Sequence, residues 1–584
     1  MSERAAAPPG SHQSPRESLH LRLVRSLLYG RNVDRAAKAR ARVGFVVIAF
    51  VVIYAVIGGR LVMFATGTDG HGARRATAQS ARARPDIVDR NGEILAIDVK
   101  APSLFAEPRR IIDKDEAIEL LTATLPDLDT GEVRERLAGR NGFVWLKREI
   151  SPKQQEEIHR LGIPGLGFRR ENKRVYPTGN EVAHLIGLVN IDNQGIAGME
   201  KWLDDNGLKD LDQAGFALDY RMSPVKLSVD LRVEHALRDE LLKAKEKFHA
   251  HAASGLVTNV RTGEVVAMVS VPDFDPNNPR EAHDPDRINR LTTGVYEMGS
   301  TFKAFTLAMA LDSGKYDLNS TWDARGPLHF GKFAIHDDEP KGRFLNMKEV
   351  FYFSSNVGAA RIALAQGVEA HKAFLRKMGQ LDRLRTELPE SASPLVPKHW
   401  SELNTITIAF GHGMAVAPLQ AVMGVSALVN GGYLIPPTFL KRTEEEAMAV
   451  ARRVIKPETS EKMRFLMRLN AEVGTARKAD VKGYYIGGKT GTAEKVVNGR
   501  YAKRRVLTAF TAILPVDKPH YQLLIMLDEP QPLKETYGFI TSGWNAVPTA
   551  ANVIPRIAPL LGIEPRFDLP PSDRLILAAS KTTQ

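Results

Sequence analysis

The feature that most constrains this chain is an apolar run, VGFVVIAFVVIYAVIGG from Val43 to Gly59, that contains no charged residue. LVMFA extends it once Arg60 is allowed to snorkel, and the combined length suits a membrane-crossing helix of about 20 residues. A cleaved secretory signal is the alternative. The run exceeds the usual apolar core of such a signal, and Arg60 follows it where a small-x-small cleavage pattern would stand, so an uncleaved anchor is expected. Before Val43 there are nine Lys/Arg against three acidic residues, 9 − 3 = +6. Basic residues ahead of the span, and few just after it, place the tail (residues 1–42) in the cytoplasm and everything beyond about Thr66 outside the membrane.

Half of the formal charge of +12 therefore sits in the tail. Its position favours an anionic lipid surface over nucleic acid as the partner of this charge. Cysteine is absent, which excludes thiol catalysis, Cys-ligated zinc and disulfide staples. At 584 residues, two or three folded units are expected.

Residues 43–65 read as the span, and residues 66–222 as a Gly/Ala/Arg-rich stem leading into an irregular first domain. In DKDEAIELLTATL, Ile118, Leu121 and Leu125 recur at helical spacing. A second domain, residues 223–560, starts with KLSVDLRVEHALRDELLKAKEKF, whose Val233, Leu237, Leu241 and Ala244 share a helix face. SGLVTNV and EVVAMVSV flank Arg261-Thr262-Gly263 and predict a hairpin. YYIGGKTGTAEKV, VLTAFTAIL and YQLLIMLDE predict closing strands, and residues 561–584 a C-terminal tail. The pattern implies an α+β domain, a mostly antiparallel sheet with helices packed on it.

Three short motifs carry the chemistry. In GSTFK a helix opening at Ser300 puts Lys303 one turn on and on the same face. The helix N-terminus disfavours a protonated lysine, and a neutral one can take the serine proton for covalent acyl transfer. Ser-x-x-Lys is expected about twice by chance in such a chain, and it occurs twice. The other copy, Ser223-Pro-Val-Lys226, runs into strand-like LSVD, where the two side chains would not share a face. The second motif is Ser354-Ser355-Asn356, which taken alone reads more readily as a helix cap. The third is GGKTGT, Gly487 to Thr492, at an expected strand edge. Their order matches Ser-x-x-Lys, Ser-Asp-Asn and Lys-Thr-Gly of serine acyl enzymes of the β-lactamase and penicillin-binding type. No His-Glu-x-x-His is present, and the histidines read as structural, so no metal and no cofactor is expected.

From Pro85 to Pro555 the chain resembles the class B penicillin-binding proteins, most of all their division-specific (FtsI-type) members. The resemblance rests on DIVDRNGEILA, RVYPTGNEVAHLIG, GIAGMEKWLD, TGEVVAMVSVPDFDPNNP, VYEMGSTFK, SSNVG, IAFGHGMAVAPLQ and GGKTGTAEK. Two departures are Met298, where family members often have Pro, and the C-terminal SGWNAVPTA, where they have a Gly-Gly segment. The resemblance implies a non-catalytic pedestal (dimerisation) domain followed by a serine β-lactamase-like transpeptidase domain. It implies Ser300 as nucleophile, Lys303 as its base, Ser354 and Lys489 as proton relay, and Asn356 positioning Lys303 and the substrate amide. Thr490 and Thr492, flanking Gly491, would hold the substrate carboxylate, with the N–H groups of Ser300 and Thr492 as oxyanion hole. Implied partners are peptidoglycan stem peptides, a septal glycosyltransferase and other division proteins at the inner membrane, with β-lactams as covalent inhibitors. A D,D-carboxypeptidase using water as acceptor, or a non-catalytic β-lactam sensor or division scaffold, remains the alternative.

Overall fold

The computed structural model describes residues 35–66, 83–139, 141–208, 222–497 and 499–568. Most of the basic tail, most of the stem and most of the C-terminal tail lie outside these described residues. Two compact units divide between Gln79 and Ser80. In the first, helix α1 (Arg35–Thr66) is 32 residues long, and its Val, Ile, Phe and Tyr side chains from Val43 to Ile57 are exposed. Side chains are described in α1 only from Val43 to Gly59, and among the described residues no helix is long and apolar enough to cross a membrane. The expected span is therefore seen as a helix and not shown as a crossing.

The second unit opens with the pedestal. Strand β1 (Ile94–Ala106) pairs antiparallel with both β2 (Val144–Lys147) and β3 (Leu166–Val175). Helices α2 (Lys114–Thr124), α3 (Thr130–Ala138) and α4 (Pro152–Arg160) begin at Asp113, Asp129 and Ser151, whose side chains accept orphan backbone N–H groups. Ile118, Leu121 and Leu125 are buried together with Leu104 and Leu146, as their spacing predicts. Within the pedestal, Arg84 reaches Glu200 and Asp204 at 2.7 Å each, and Arg174 reaches Glu200 at 2.6 Å and Asp98 at 3.1 Å. Such a buried network is tolerated because every charge has a partner.

Beyond it, α5 (Leu231–Lys247) precedes the hairpin β4 (Ala252–Asn259) and β5 (Val265–Val271). The sheet is completed by β6 (Gly487–Val497), β7 (Arg500–Leu514) and β8 (Tyr521–Asp528) in the order β6-β7-β8-β4-β5, antiparallel throughout. Strand alternation splits the core in two. Val257, Leu523 and Ile525 face Leu237, Leu241 and Val553 of α5 and α10 (Ala546–Ile557). Leu256 and Leu524 join the opposite core, with Phe305 of α6 (Lys303–Asp312), Met423 of α8 (Pro418–Val429) and Leu466 of α9 (Pro457–Val473). Helix α6 is buried all round, which explains its lack of a polar stripe. Between α6 and α8 lies α7 (Asn356–Gln366). Among the described residues β6 pairs only with β7, so its other edge carries no strand.

Candidate active site

Ser300 sits in a 3₁₀ turn, Gly299–Phe302, and α6 starts only at Lys303. The α-helix expected to open at Ser300 is thus displaced by one turn. The pairing survives because side chains three apart eclipse in a 3₁₀ turn: Lys303 Nζ is 2.9 Å from Ser300 Oγ. The other Ser-x-x-Lys copy ends in a two-residue strand, Val225–Lys226. The nucleophile turn is clamped on both sides. Gly299 has φ +52°, and a Cβ there would lie 2.4 Å from the Thr492 carbonyl oxygen; at Gly411, φ +90°, a Cβ would lie 1.9 Å from the Gly299 carbonyl oxygen. No side chain fits at either position without moving backbone.

The residues of Ser354-Ser355-Asn356 divide between a helix cap and contacts to the two lysines. Ser355 caps α7 by accepting from Gly358 N at 2.9 Å and donates to Asp337 at 2.7 Å. Ser354, held at φ +58°, is left to serve the site. Its Oγ accepts from Lys303 Nζ at 3.0 Å and from Lys489 Nζ at 2.9 Å, and its carbonyl also accepts from Lys303. Lys489 comes from β6, where Asn470 of α9 donates to the Gly488 carbonyl at 2.9 Å. Thr490 Oγ1 is 2.7 Å from Thr475 Oγ1, and Thr492 Oγ1 accepts from Ser542 N at 3.2 Å. The divergent C-terminal segment therefore closes on the same strand. Gly491 packs on the Met298 carbonyl, 2.6 Å from where a Cβ would stand. Asn356 lies at the start of α7, and its Nδ2 donates to the His336 carbonyl at 3.0 Å.

Lys303 and Lys489 are both fully buried and share one hydroxyl oxygen. Burial lowers Lys303 to about 7, with Asp338 and Asp337 opposing. Lys489 is pushed well below the usual lysine range by burial and then by Lys303. Desolvation and like charge both disfavour a doubly protonated pair, so a neutral amine beside Ser300 is accessible near neutral pH. Such a site can move a proton from Ser300 to Lys303 and across Ser354 to Lys489.

Several neighbours were not singled out in the sequence. Asp337 fixes the start of α7 through Ser355 and through Val357 N at 2.9 Å. Glu297 accepts from Gly413 N at 2.8 Å and from the Tyr501 hydroxyl at 3.1 Å. Glu297 stands inside VYEMGSTFK and His412 inside IAFGHGMAVAPLQ, so their nearness to the motifs was a signal; Asp337 and Tyr501 gave none. Among the described residues no group of three or more His, Asp and Glu is placed to hold a metal.

Comparison with known proteins agrees with this geometry. Residues 253–544 match the family described as the penicillin binding protein transpeptidase domain, and residues 79–215 the penicillin-binding protein dimerisation domain. A probable peptidoglycan D,D-transpeptidase FtsI of Caulobacter vibrioides is 40% identical, with 83% of each chain covered. The peptidoglycan D,D-transpeptidase FtsI of Escherichia coli K12 is 31% identical over 80% of this chain and 82% of its own. Among solved structures, penicillin binding protein 3 of Mycobacterium tuberculosis complexed with aztreonam superposes with a TM-score of 0.63 at 23% identity, covering 83% of this chain and 98% of that one. With two domains matched and a curated relative aligned along most of its length, the chain belongs to the class B penicillin-binding proteins, among the FtsI-type peptidoglycan D,D-transpeptidases.

Proposed function

We propose that this protein cross-links septal peptidoglycan as a D,D-transpeptidase, and the observation that carries the reading is the continuous contact Ser300–Lys303–Ser354–Lys489. Neutral Lys303 takes the Ser300 proton as Oγ attacks the penultimate D-Ala carbonyl of a donor stem peptide. Ser354 and Lys489 pass a proton to the leaving D-Ala, and the amine of a second stem resolves the ester. The open edge of β6 suits an extended peptide strand, with Thr490 and Thr492 beside the terminal carboxylate and the Ser300 and Thr492 N–H groups as oxyanion donors, each worth roughly 3 kcal/mol in a serine enzyme. Asn356 would contact the substrate amide, while the positioning of Lys303 falls to Ser354, whose Oγ and carbonyl accept from its Nζ. The bond energy comes from the old peptide bond. A β-lactam acylates the same serine.

Supporting an anchored, inner-membrane protein are the basic tail, the charge-free run and the exposed apolar surface of α1. The pedestal would then meet the septal glycosyltransferase and other division proteins. A fluorescent penicillin should label Ser300 and leave Ser223 unmodified; a label on Ser223, or one that survives Ser300→Ala, defeats the assignment. Incubation with a pentapeptide donor and an amine acceptor, read by product mass, separates cross-linking from carboxypeptidase action.

A further inference from the structure

Acylation leaves a second polar cluster beside the nucleophile turn unused. Glu297, three residues before Ser300, places its Oε1 against Gly413 N–H and the Tyr501 hydroxyl at 2.8 and 3.1 Å. Its Oε2 is buried and meets no hydrogen-bond donor. The His412 ring lies between Phe410 and Tyr501, with centroids 5.4 and 5.5 Å away, and its Nδ1 is likewise buried without a partner. Gly411, one residue before His412, abuts Gly299. The cluster therefore borders the nucleophile turn.

A buried carboxylate oxygen without a donor is costly, and such groups in folded proteins call for an explanation. Resolution of the acyl-enzyme supplies a donor. The acceptor is a primary amine, an ammonium at neutral pH, and it must approach an ester flanked by two lysines and lose a proton before it attacks. Asp337 has both oxygens engaged by Ser355 and Val357, and Asp338 is exposed to water. Glu297 keeps an oxygen without a donor, and because that oxygen is buried the acceptor reaches it only by displacing the side chains that cover it.

We infer that Glu297 binds the acceptor: its Oε2 receives an ammonium N–H and takes the first proton, while Gly413 N–H and the Tyr501 hydroxyl hold the carboxylate in place. This rests on Ser300 being the acylated nucleophile. The freed amine attacks the ester carbonyl, the C–N bond forms and the C–Oγ bond breaks. The second nitrogen proton passes to Ser300 Oγ through Lys303, and Glu297 releases the first to solvent. Burial raises the Glu297 carboxyl above its ordinary range, which makes it a better proton acceptor. The groups facing it suit the role: Tyr501 is pushed up to about 12, chiefly by burial and then by Glu297, with Glu494 adding to the effect, and remains a neutral donor. His412 is lowered to about 4 by burial and then by Lys303, and stays uncharged.

The test uses full-length protein in detergent, a thioester donor ending in D-Ala, and D-alaninamide as acceptor. In Glu297→Gln, whose amide oxygen can still accept from Gly413 and Tyr501, penicillin labelling of Ser300 should stay within about twofold of wild type. At pH 7 the ratio of aminolysis to hydrolysis should fall about tenfold or more, with a higher acceptor KM, and should recover as pH rises past about 8, the usual α-amino pKa, and free amine accumulates. Tyr501→Phe should fall between the two, and Glu339→Gln, at an exposed carboxylate paired with Lys341, should match wild type. An unchanged ratio in Glu297→Gln, loss of its penicillin labelling, or the same defect in Glu339→Gln alone overturns the inference. Failure of the wild-type protein to label at Ser300 would instead overturn the parent reading.

Discussion

Ser354 holds two lysine ammonium positions on one hydroxyl oxygen, and this arrangement predicts how reactivity depends on pH. The reactive species has Lys303 neutral, and burial lowers its pKa to about 7. Acylation by penicillin should therefore climb about tenfold per pH unit below neutrality and level off above about 7 to 8. A rate that rises as pH falls would exclude Lys303 as the base. Lys303→Arg, which stays charged at every accessible pH, should lose on the order of 10²- to 10⁴-fold in acylation rate with no recovery in alkali. Stopped-flow acylation kinetics measure both effects.

At the scale of elements, precision comes from backbone approach. The nucleophile turn touches β6 on one side and the Gly411 loop on the other, so Gly299→Ala should move Ser300 relative to Thr492. A displacement of about 1 Å at a reacting atom is worth about 10²-fold in rate, and a comparable loss of penicillin acylation in a protein with an unchanged far-UV spectrum is the expected result. Much of this scaffold was legible beforehand. Helical spacing found α2 and α5, β-branched runs found β4 and β5, and the three motifs named the lysines and serines. Periodicity cannot register contacts across 51 and 135 residues, such as those of Lys303 and Lys489 with Ser354. The 3₁₀ turn at Ser300 and the left-handed Ser354 are likewise set by tertiary packing.

Helix Val368–Lys377 offers a stability test. His371 is buried there with neither ring nitrogen hydrogen-bonded, and burial lowers it to about 4 from 6.5. Its folded pKa is depressed, so the unfolded chain takes up the proton first. Stability should be complete above about 7.5 and decline as pH falls toward 4, by about 1.4 kcal/mol at pH 5.5. His371→Leu should lose less stability than wild type between pH 7.5 and 5.5 in denaturant titrations; an equal loss would show that His371 stays neutral in both states.

At the scale of the whole molecule, chemistry and location separate at a definite place. Every acylation motif lies in the unit Ser80–Gln584, and α1 lies in the other. Removing residues 1–79 should leave penicillin acylation within about twofold, because every residue assigned to the site lies in Ser80–Gln584, yet the product should fail to support division. A cut at Val225 is different. Ile87, Leu95, Tyr176 and Met199 of the pedestal share one core with Met298 and Phe302 of the nucleophile turn, and Val225 N and Leu227 N donate to Asp86 and Val88. A fragment starting there exposes that face, and each large apolar side chain returned to water costs roughly 1.5 to 3 kcal/mol. It should therefore unfold at a lower temperature than the Ser80–Gln584 fragment while retaining Ser300, Lys303, Ser354 and Lys489. Full-length Ser300→Ala, intact in α1 and pedestal, should still concentrate at the division site while failing to cross-link. Diffuse localisation of that stably expressed variant would tie targeting to turnover and refute the separation of the two functions.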